Sequence, residues 1–223
     1  MNLKEAAPEK FGTLKSFFYR LCAEPSIEPM HRRIASEVPI ERGPLLDIGC
    51  GGGNVDRLIA AARPNVRVVG LDSSEAMLRS ARKRSSAPNL EFRLGTIEGS
   101  LFSGEFDFAL SVLSFHHWEE PVEGLTAVCR ALAPGGRLWI YEMDPEAPDE
   151  AIRRDRGAVW GFFRMPVRMQ RAMARDHGFT AGEAERLVRP VAEKSGFGSL
   201  AVRRTGSTLR MEFANVASGD LTS

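Results

Sequence analysis

Cysteine is scarce in this chain. Cys22, Cys50 and Cys129 are odd in number, far apart and in no C-x-x-C pair, which argues against both a disulfide framework and a zinc site. An excess of one charge is missing too. Thirty basic side chains stand against 29 acidic ones, a net +1, so no global field draws nucleic acid or acidic lipid to the surface. No run approaches the roughly 18 uninterrupted apolar residues of a membrane span, and Met1-Asn2-Leu3-Lys4-Glu5 does not open an apolar leader. Internal repeats and low-complexity tracts are absent. These absences predict a cytoplasmic protein with no nucleic-acid partner, no membrane span and no metal. What is present is ordinary for a globular chain: 223 residues, 43% apolar and 26% charged, enough for one main domain.

One stretch stands out. Leu45-Leu46-Asp47-Ile48-Gly49-Cys50-Gly51-Gly52-Gly53-Asn54-Val55 is an apolar run that ends in an acid and then in glycines at alternating positions. Glycine at 49, 51 and 53 lets the loop take positive φ and lets a ligand lie against bare peptide groups. One βα unit later, Arg67-Val68-Val69-Gly70-Leu71-Asp72 reads as a second strand ending in a carboxylate, the place where such folds receive ribose hydroxyls.

From 45 to 144 short apolar runs alternate with helical stretches, the mark of βαβ units and a mostly parallel sheet. Ser73-Ser74-Glu75 supplies a helix cap and a first-turn acid, and Thr180-Ala181-Gly182-Glu183 has capping-box spacing. Residues 9 to 38 carry Phe11, Leu14, Phe17, Phe18, Leu21, Ile34 and Val38 at mixed helical spacing, interrupted by Pro25 and Pro29, so two short helices are expected there. Segments 199–204 and 208–213 look like two strands joined by Thr205-Gly206-Ser207. Residues 145 to 179, with Trp160, Phe162, Phe163, Met165, Met169 and Met173, read as a largely helical insertion over the carboxyl edge of the sheet, with ordinary packing helices as the alternative.

The pattern Asp-x-Gly-x-Gly-x-Gly at 47 to 53 followed by Val-Gly-Leu-Asp at 69 to 72 resembles the class I S-adenosylmethionine-dependent methyltransferases. Three further segments agree, in order: Glu91 to Glu98, Phe106 to Trp118 with its double histidine, and Leu132-Ala133-Pro134-Gly135-Gly136 running into an apolar strand. The histidines with Leu-x-Pro-Gly-Gly are most like the branch acting on small molecules, such as quinone-biosynthesis methyltransferases. The resemblance implies a Rossmann-like, seven-stranded, mostly parallel sheet with helices on both faces and a C-terminal antiparallel hairpin. Residues 1–40 are expected as a helical lid segment and 41–223 as the methyltransferase domain, in which the insertion at about 145–179, a departure from the family's minimal pattern, caps the substrate.

S-adenosylmethionine is the implied cofactor, S-adenosylhomocysteine its product, and a small molecule the acceptor. By resemblance Gly49, Cys50, Gly51 and Gly53 lie against the methionine part, Asp47 near its ammonium, and Asp72 accepts both ribose hydroxyls. Ser73 and Met77 flank ribose and adenine, Thr96 and Ile97 meet the adenine edge, and Ser111 completes the set. The family often has Asp where Thr96 stands, which shifts adenine discrimination toward the backbone of Ile97. His116 and His117 follow the fourth strand, where one of them can take a proton from a hydroxyl or enol acceptor. Packing against Trp118 or capping the next helix is the alternative for each. Tyr19, Tyr141, Phe162 and Phe163, with His117, are the candidate acceptor contacts.

No Asn-Pro-Pro-Tyr, Asp-Pro-Pro-Tyr or Pro-Cys follows the fourth strand, which disfavours base methylation. A nicotinamide dehydrogenase would want a glycine where Asn54 stands. A cofactor-binding scaffold without catalysis stays open. The apolar insertion suggests an aromatic, quinone-like or lipid-like acceptor, whereas Arg153, Arg154, Arg164, Arg168 and Arg171 suit an acidic one. Whether O, N, C or S is methylated is open.

Overall fold

Leu45 and Leu46 are neighbours in sequence and both fully buried, which requires a strand covered on both faces. That strand is β1 (Gly43–Ile48), at the centre of a computed structural model that describes residues 26–157 and 165–215. Before it runs α1 (Glu28–Glu37). After it come α2 (Asn54–Ala62), β2 (Val66–Asp72), α3 (Glu75–Arg84), β3 (Leu90–Leu94) and β4 (Phe106–Val112). A 3-10 turn at Phe115–His117 leads to α4 (Pro121–Ala131), β5 (Leu132–Met143), α5 (Asp149–Asp155) and α6 (Val167–His177). A helical turn at Ala181–Glu183 then passes through a π turn at Ala184–Val188 into α7 (Arg189–Lys194), and β6 (Phe197–Thr205) and β7 (Thr208–Asn215) close the fold.

The seven strands lie in the order β3-β2-β1-β4-β5-β7-β6. β3, β2, β1, β4 and β5 pair in parallel, while β7 runs antiparallel to both β5 and β6. This is the Rossmann-like sheet with a terminal hairpin that the sequence predicts. Alternate residues of each strand feed two cores. Leu45, Val68, Phe108, Trp139 and Tyr141 meet α1 and α2 on one face. Leu46, Val69, Ala109, Leu138 and Ile140 meet α4 and α7 on the other.

The caps form as their spacing requires. The Ser74 hydroxyl accepts from the Met77 amide at 3.4 Å. Thr180 and Glu183 exchange both capping-box bonds, at 3.1 and 2.8 Å. Pro29, expected to interrupt a helix, instead stands in the first turn of α1, where its missing N–H costs nothing. The expected helix before it lies outside the described residues, as do Cys22, Trp160 and Arg164.

The segment from 145 to 179 is partly seen. α5 and α6 are held to the body by two polar clamps. Asp155 at the end of α5 pairs with Arg33 of α1 at 2.9 Å and accepts the amide and hydroxyl of Ser207, both at 2.8 Å. Arg171 of α6 donates to the carbonyls of Pro145 and Ala147 at 2.6 and 2.9 Å. Met169 and Met173 are exposed rather than packed.

Candidate functional site

The parallel strands deliver their carboxyl ends to one edge, and there the chain leaves a cleft of about 930 Å³. Such an edge is where ligands bind in open α/β sheets. Gly49, Gly51 and Gly53 all take positive φ, at 73°, 55° and 69°. A Cβ on Gly49 would fall 1.9 Å from the Ser114 hydroxyl, so the loop after β1 and the turn after β4 touch because glycine is there.

Asp72, at the end of β2, ties this loop to α3. Its Oδ2 accepts the Gly51 amide and its Oδ1 the Ser74 amide, each at 2.8 Å. Burial lifts its carboxyl above the usual carboxylate range against the opposing pull of these two amides. Both oxygens keep lone pairs for a further donor.

Asp47 is 2% exposed, and its Oδ1 has no hydrogen-bond partner among the described residues. Asp56, in the first turn of α2, is wholly buried and leaves both carboxyl oxygens without one. Desolvation raises both carboxyls, Asp47 further by the charge of Asp56, and Asp56 reaches about 7. A buried carboxyl with an unmet acceptor oxygen beside bare peptide groups suits an ammonium group, whose positive charge would draw the raised carboxyl back toward its ionised form. Cys50 lines the cleft as a thiol that burial pushes up, so it is no nucleophile.

Of the residues singled out in the sequence, Asp47, Gly49, Cys50, Gly51, Asp72, Ser73, Met77, Thr96, Ile97 and His117 line the cleft. Three do not lie where the sequence suggests. Gly53 is off the lining, and its Cβ would strike Phe92 at 2.5 Å, so it serves the packing of the loop on β3 while Gly52 takes its place in the cleft. Ser111 is fully buried within β4, its hydroxyl without a partner among the described residues. Tyr141 points into the α1 face of the sheet, where its hydroxyl donates to Glu37 at 3.0 Å and burial raises its pKa. Tyr19, Phe162 and Phe163 lie outside the described residues.

The neighbour of Tyr141 is the residue that the sequence reading passed over. Glu142 faces the opposite side of β5, is completely buried, and holds His116: its Oε1 accepts the His116 amide at 3.1 Å and its Oε2 lies 2.8 Å from Nδ1. Alternation along β5 puts it on the face opposite Tyr141, but only the packed helices show which face that is. His31, Ser114 and Trp118 line the cleft as well, and Leu113 at its inner wall takes φ 52°. Positive φ in a leucine is strain of about 1–3 kcal/mol, stored where the strand turns into the site.

Among the described residues no group of three or more His, Cys, Asp or Glu side chains could hold a metal ion, and no helix is long and apolar enough to cross a membrane.

Comparison with known proteins accords with this geometry. Residues 46–140 match the family model described as a methyltransferase domain. The demethylmenaquinone methyltransferase of Thermus thermophilus is 31% identical over 119 residues, 51% of this chain and 54% of that protein. The trans-aconitate 2-methyltransferase of Rhizobium meliloti is 34% identical over 114 residues, 51% of this chain and 44% of that protein. The chain therefore spans about half the length of these relatives. Among solved structures, a SAM-dependent methyltransferase from Aquifex aeolicus superposes with a TM-score of 0.65 at 17% identity, covering 92% of this chain and 98% of that one. A methyltransferase of calicheamicin biosynthesis with bound S-adenosylhomocysteine gives 0.61 at 20% identity, covering 85% and 54%. At these identities the structures speak for the fold alone.

Proposed function

We infer that the protein, whose residues 46–140 match a methyltransferase domain, is a class I S-adenosylmethionine-dependent methyltransferase that transfers a methyl group to a small molecule. The observation that carries this reading is the Asp72 clamp. A carboxylate tied by two amides stands at a strand's end, beside a Cβ-free loop and below a vacant buried acceptor on Asp47.

S-adenosylmethionine, when bound, supplies a methyl carbon activated by a sulfonium. The residues present fit it. The backbone of Gly49 to Gly52 is bare enough to lie against the amino-acid part, with Asp47 meeting the ammonium. Asp72 takes the ribose hydroxyls on its spare lone pairs. Met77 and Ile97, both buried walls of the cleft, hold the adenine, and Thr96 accepts at its edge. His117, on the wall nearest the turn after β4, borders the acceptor's approach. The chain's own work is then mostly alignment, which contributes on the order of 7–11 kcal/mol in such displacements. The acceptor is small, and nucleic acid is not expected. We place the reaction in the cytoplasm.

Calorimetric titration tests the reading. S-adenosylmethionine and S-adenosylhomocysteine should bind with one site per chain and NAD should not. Equal or tighter binding of NAD would sink it. Binding of S-adenosylhomocysteine without methylation of any acceptor in a metabolite screen read by mass spectrometry would instead support a non-catalytic scaffold.

A further inference from the structure

Beyond the cleft lies a second cavity of about 220 Å³, and Leu113 and His117 line both. Most of its wall is apolar, with Ile27 and Met30 of the α1 region, Ile152 of α5, and Met165 and Met173 opposite. Three imidazoles converge on it. The rings of His116 and His117 lie 3.9 Å apart, and that of His177, at the end of α6, lies 5.4 Å from His116. The chain after α6 fixes His177. The Phe179 amide donates to the Met143 carbonyl at 3.0 Å, and a Cβ on Gly178 would fall 2.0 Å from that same oxygen.

Glu142 decides what His116 can do. One oxygen of Glu142 accepts the His116 amide and the other stands at Nδ1, so a proton on Nδ1 completes the pair and Nε2 is the ring nitrogen that Glu142 does not hold. A carboxylate behind an imidazole fixes its tautomer and stabilises the imidazolium once formed. The other charges at the cavity are spoken for: Asp144 pairs with Arg204, and Asp155 with Arg33. No arginine or lysine is among the described residues that line it. Of the arginines offered by the sequence as partners of an acidic substrate, three are engaged elsewhere, Arg153 with Asp149, Arg154 with Glu150, and Arg171 with Asp149 and two carbonyls, Arg168 is not on the cavity lining, and Arg164 lies outside the described residues. A carboxylic acid would thus enter as an anion with no fixed cation among the described lining residues to meet it, and having already lost its proton it would need no base. A hydroxyl needs one.

We propose that Glu142 and His116 form a proton-accepting dyad and that this cavity takes a neutral, mainly apolar acceptor bearing an acidic hydroxyl, a phenol or an enol. This rests on the methyltransferase reading above. As the acceptor oxygen bonds to the methyl carbon, its proton passes to His116 Nε2 and the pair of the breaking C–S bond returns to sulfur. The imidazolium then releases the proton to water. His116 is the catalytic residue and Glu142 a positioning residue. His117 lines both cavities, at the side of the opening where donor and acceptor meet. Gln170 Oε1 and His177 Nδ1, buried and without hydrogen-bond partners among the described residues, are placed for the acceptor's remaining polar groups.

The test uses the full chain loaded with S-adenosylhomocysteine and two probes with the same ring system, 1-naphthol and 1-naphthoate. Naphthol should bind at least about tenfold more tightly. Nitrogen NMR of the His116 ring reports the dyad: Nδ1 should carry the proton in the neutral form, and Glu142→Gln should lower the titration midpoint by about one pH unit. His117, His177, Asp144 and Asp155 face the same space and remain in both proteins. Should Glu142→Gln fail to fold, His116→Gln serves, and it should lose the preference for naphthol. Naphthoate binding equally or more tightly, neither probe binding, or an unchanged midpoint overturns the proposal while S-adenosylhomocysteine affinity stands. Loss of that affinity in the unmodified protein overturns the methyltransferase reading itself.

Discussion

The Asp72 carboxylate already receives the Gly51 and Ser74 amides, so replacing it removes more than the proposed ribose contact. Asp72→Ala should weaken S-adenosylhomocysteine binding by about 3 kcal/mol or more, since two bonds to an ionised acceptor are lost at about 1.5–3 kcal/mol each. It should also lower the melting temperature, because two partly buried amides lose their partner. Calorimetry and a thermal melt read the two effects separately, and unchanged affinity in a folded variant would move the ribose elsewhere. Asp56 makes a different prediction. A carboxyl whose folded pKa is raised contributes stability below its unfolded value near 3.9 and loses it as pH rises through the folded one, about 7 here. Between pH 5 and 8 the melting temperature of Asp56→Asn should therefore fall less than that of the parent. A parallel fall in both proteins would mean that this acid is not raised.

Among the elements, the clamp around Arg33 joins α1, α5 and the β6–β7 turn. Its guanidinium bonds Asp155, Glu37, Thr205 and Thr208, and Asp155 is only 5% exposed. Arg33→Met strands that carboxylate, a loss of about 3–5 kcal/mol in buried pairs, with the lower end expected because Ser207 still donates twice. Urea unfolding should show it, and Arg33→Met with Asp155→Leu should recover most of the loss. If the double variant is no more stable than the single one, the stranded charge is not the cause. The same clamp holds α5 against the second cavity, so the single variant should also loosen whatever binds there.

For the molecule as a whole, ligand and fold are linked. A ligand that binds only the native state at 100 times its Kd adds about 2.7 kcal/mol, and a chain of this size gains roughly 2–4 °C per kcal/mol. Saturating S-adenosylhomocysteine should raise the melting temperature by about 5–10 °C, and the same concentration of NAD should leave it in place. A shift with NAD alone would return the glycine loop to dinucleotide binding. Asn54, which stands where a dehydrogenase wants glycine, here opens α2 and accepts from Arg57.

What the sequence determined by itself is what short range dictates. Glycines forced to positive φ, a cap at Ser74, a capping box at Thr180 and an acid closing each of two apolar runs need only their immediate neighbours, so the loop, the strands and the terminal hairpin were legible before any packing was known. The tertiary structure decided which face each strand residue meets. Tyr141 and Glu142 are adjacent and both plausible at a site, but alternation sends one to Glu37 and the other to His116, 26 residues back along the chain. A pattern of period two gives the alternation and not its phase, because the phase is set by which helices cover which side. The roles of Gly53 and Ser111 stayed hidden for the same reason: Phe92 and the interior of β4 become their surroundings only once the sheet has closed.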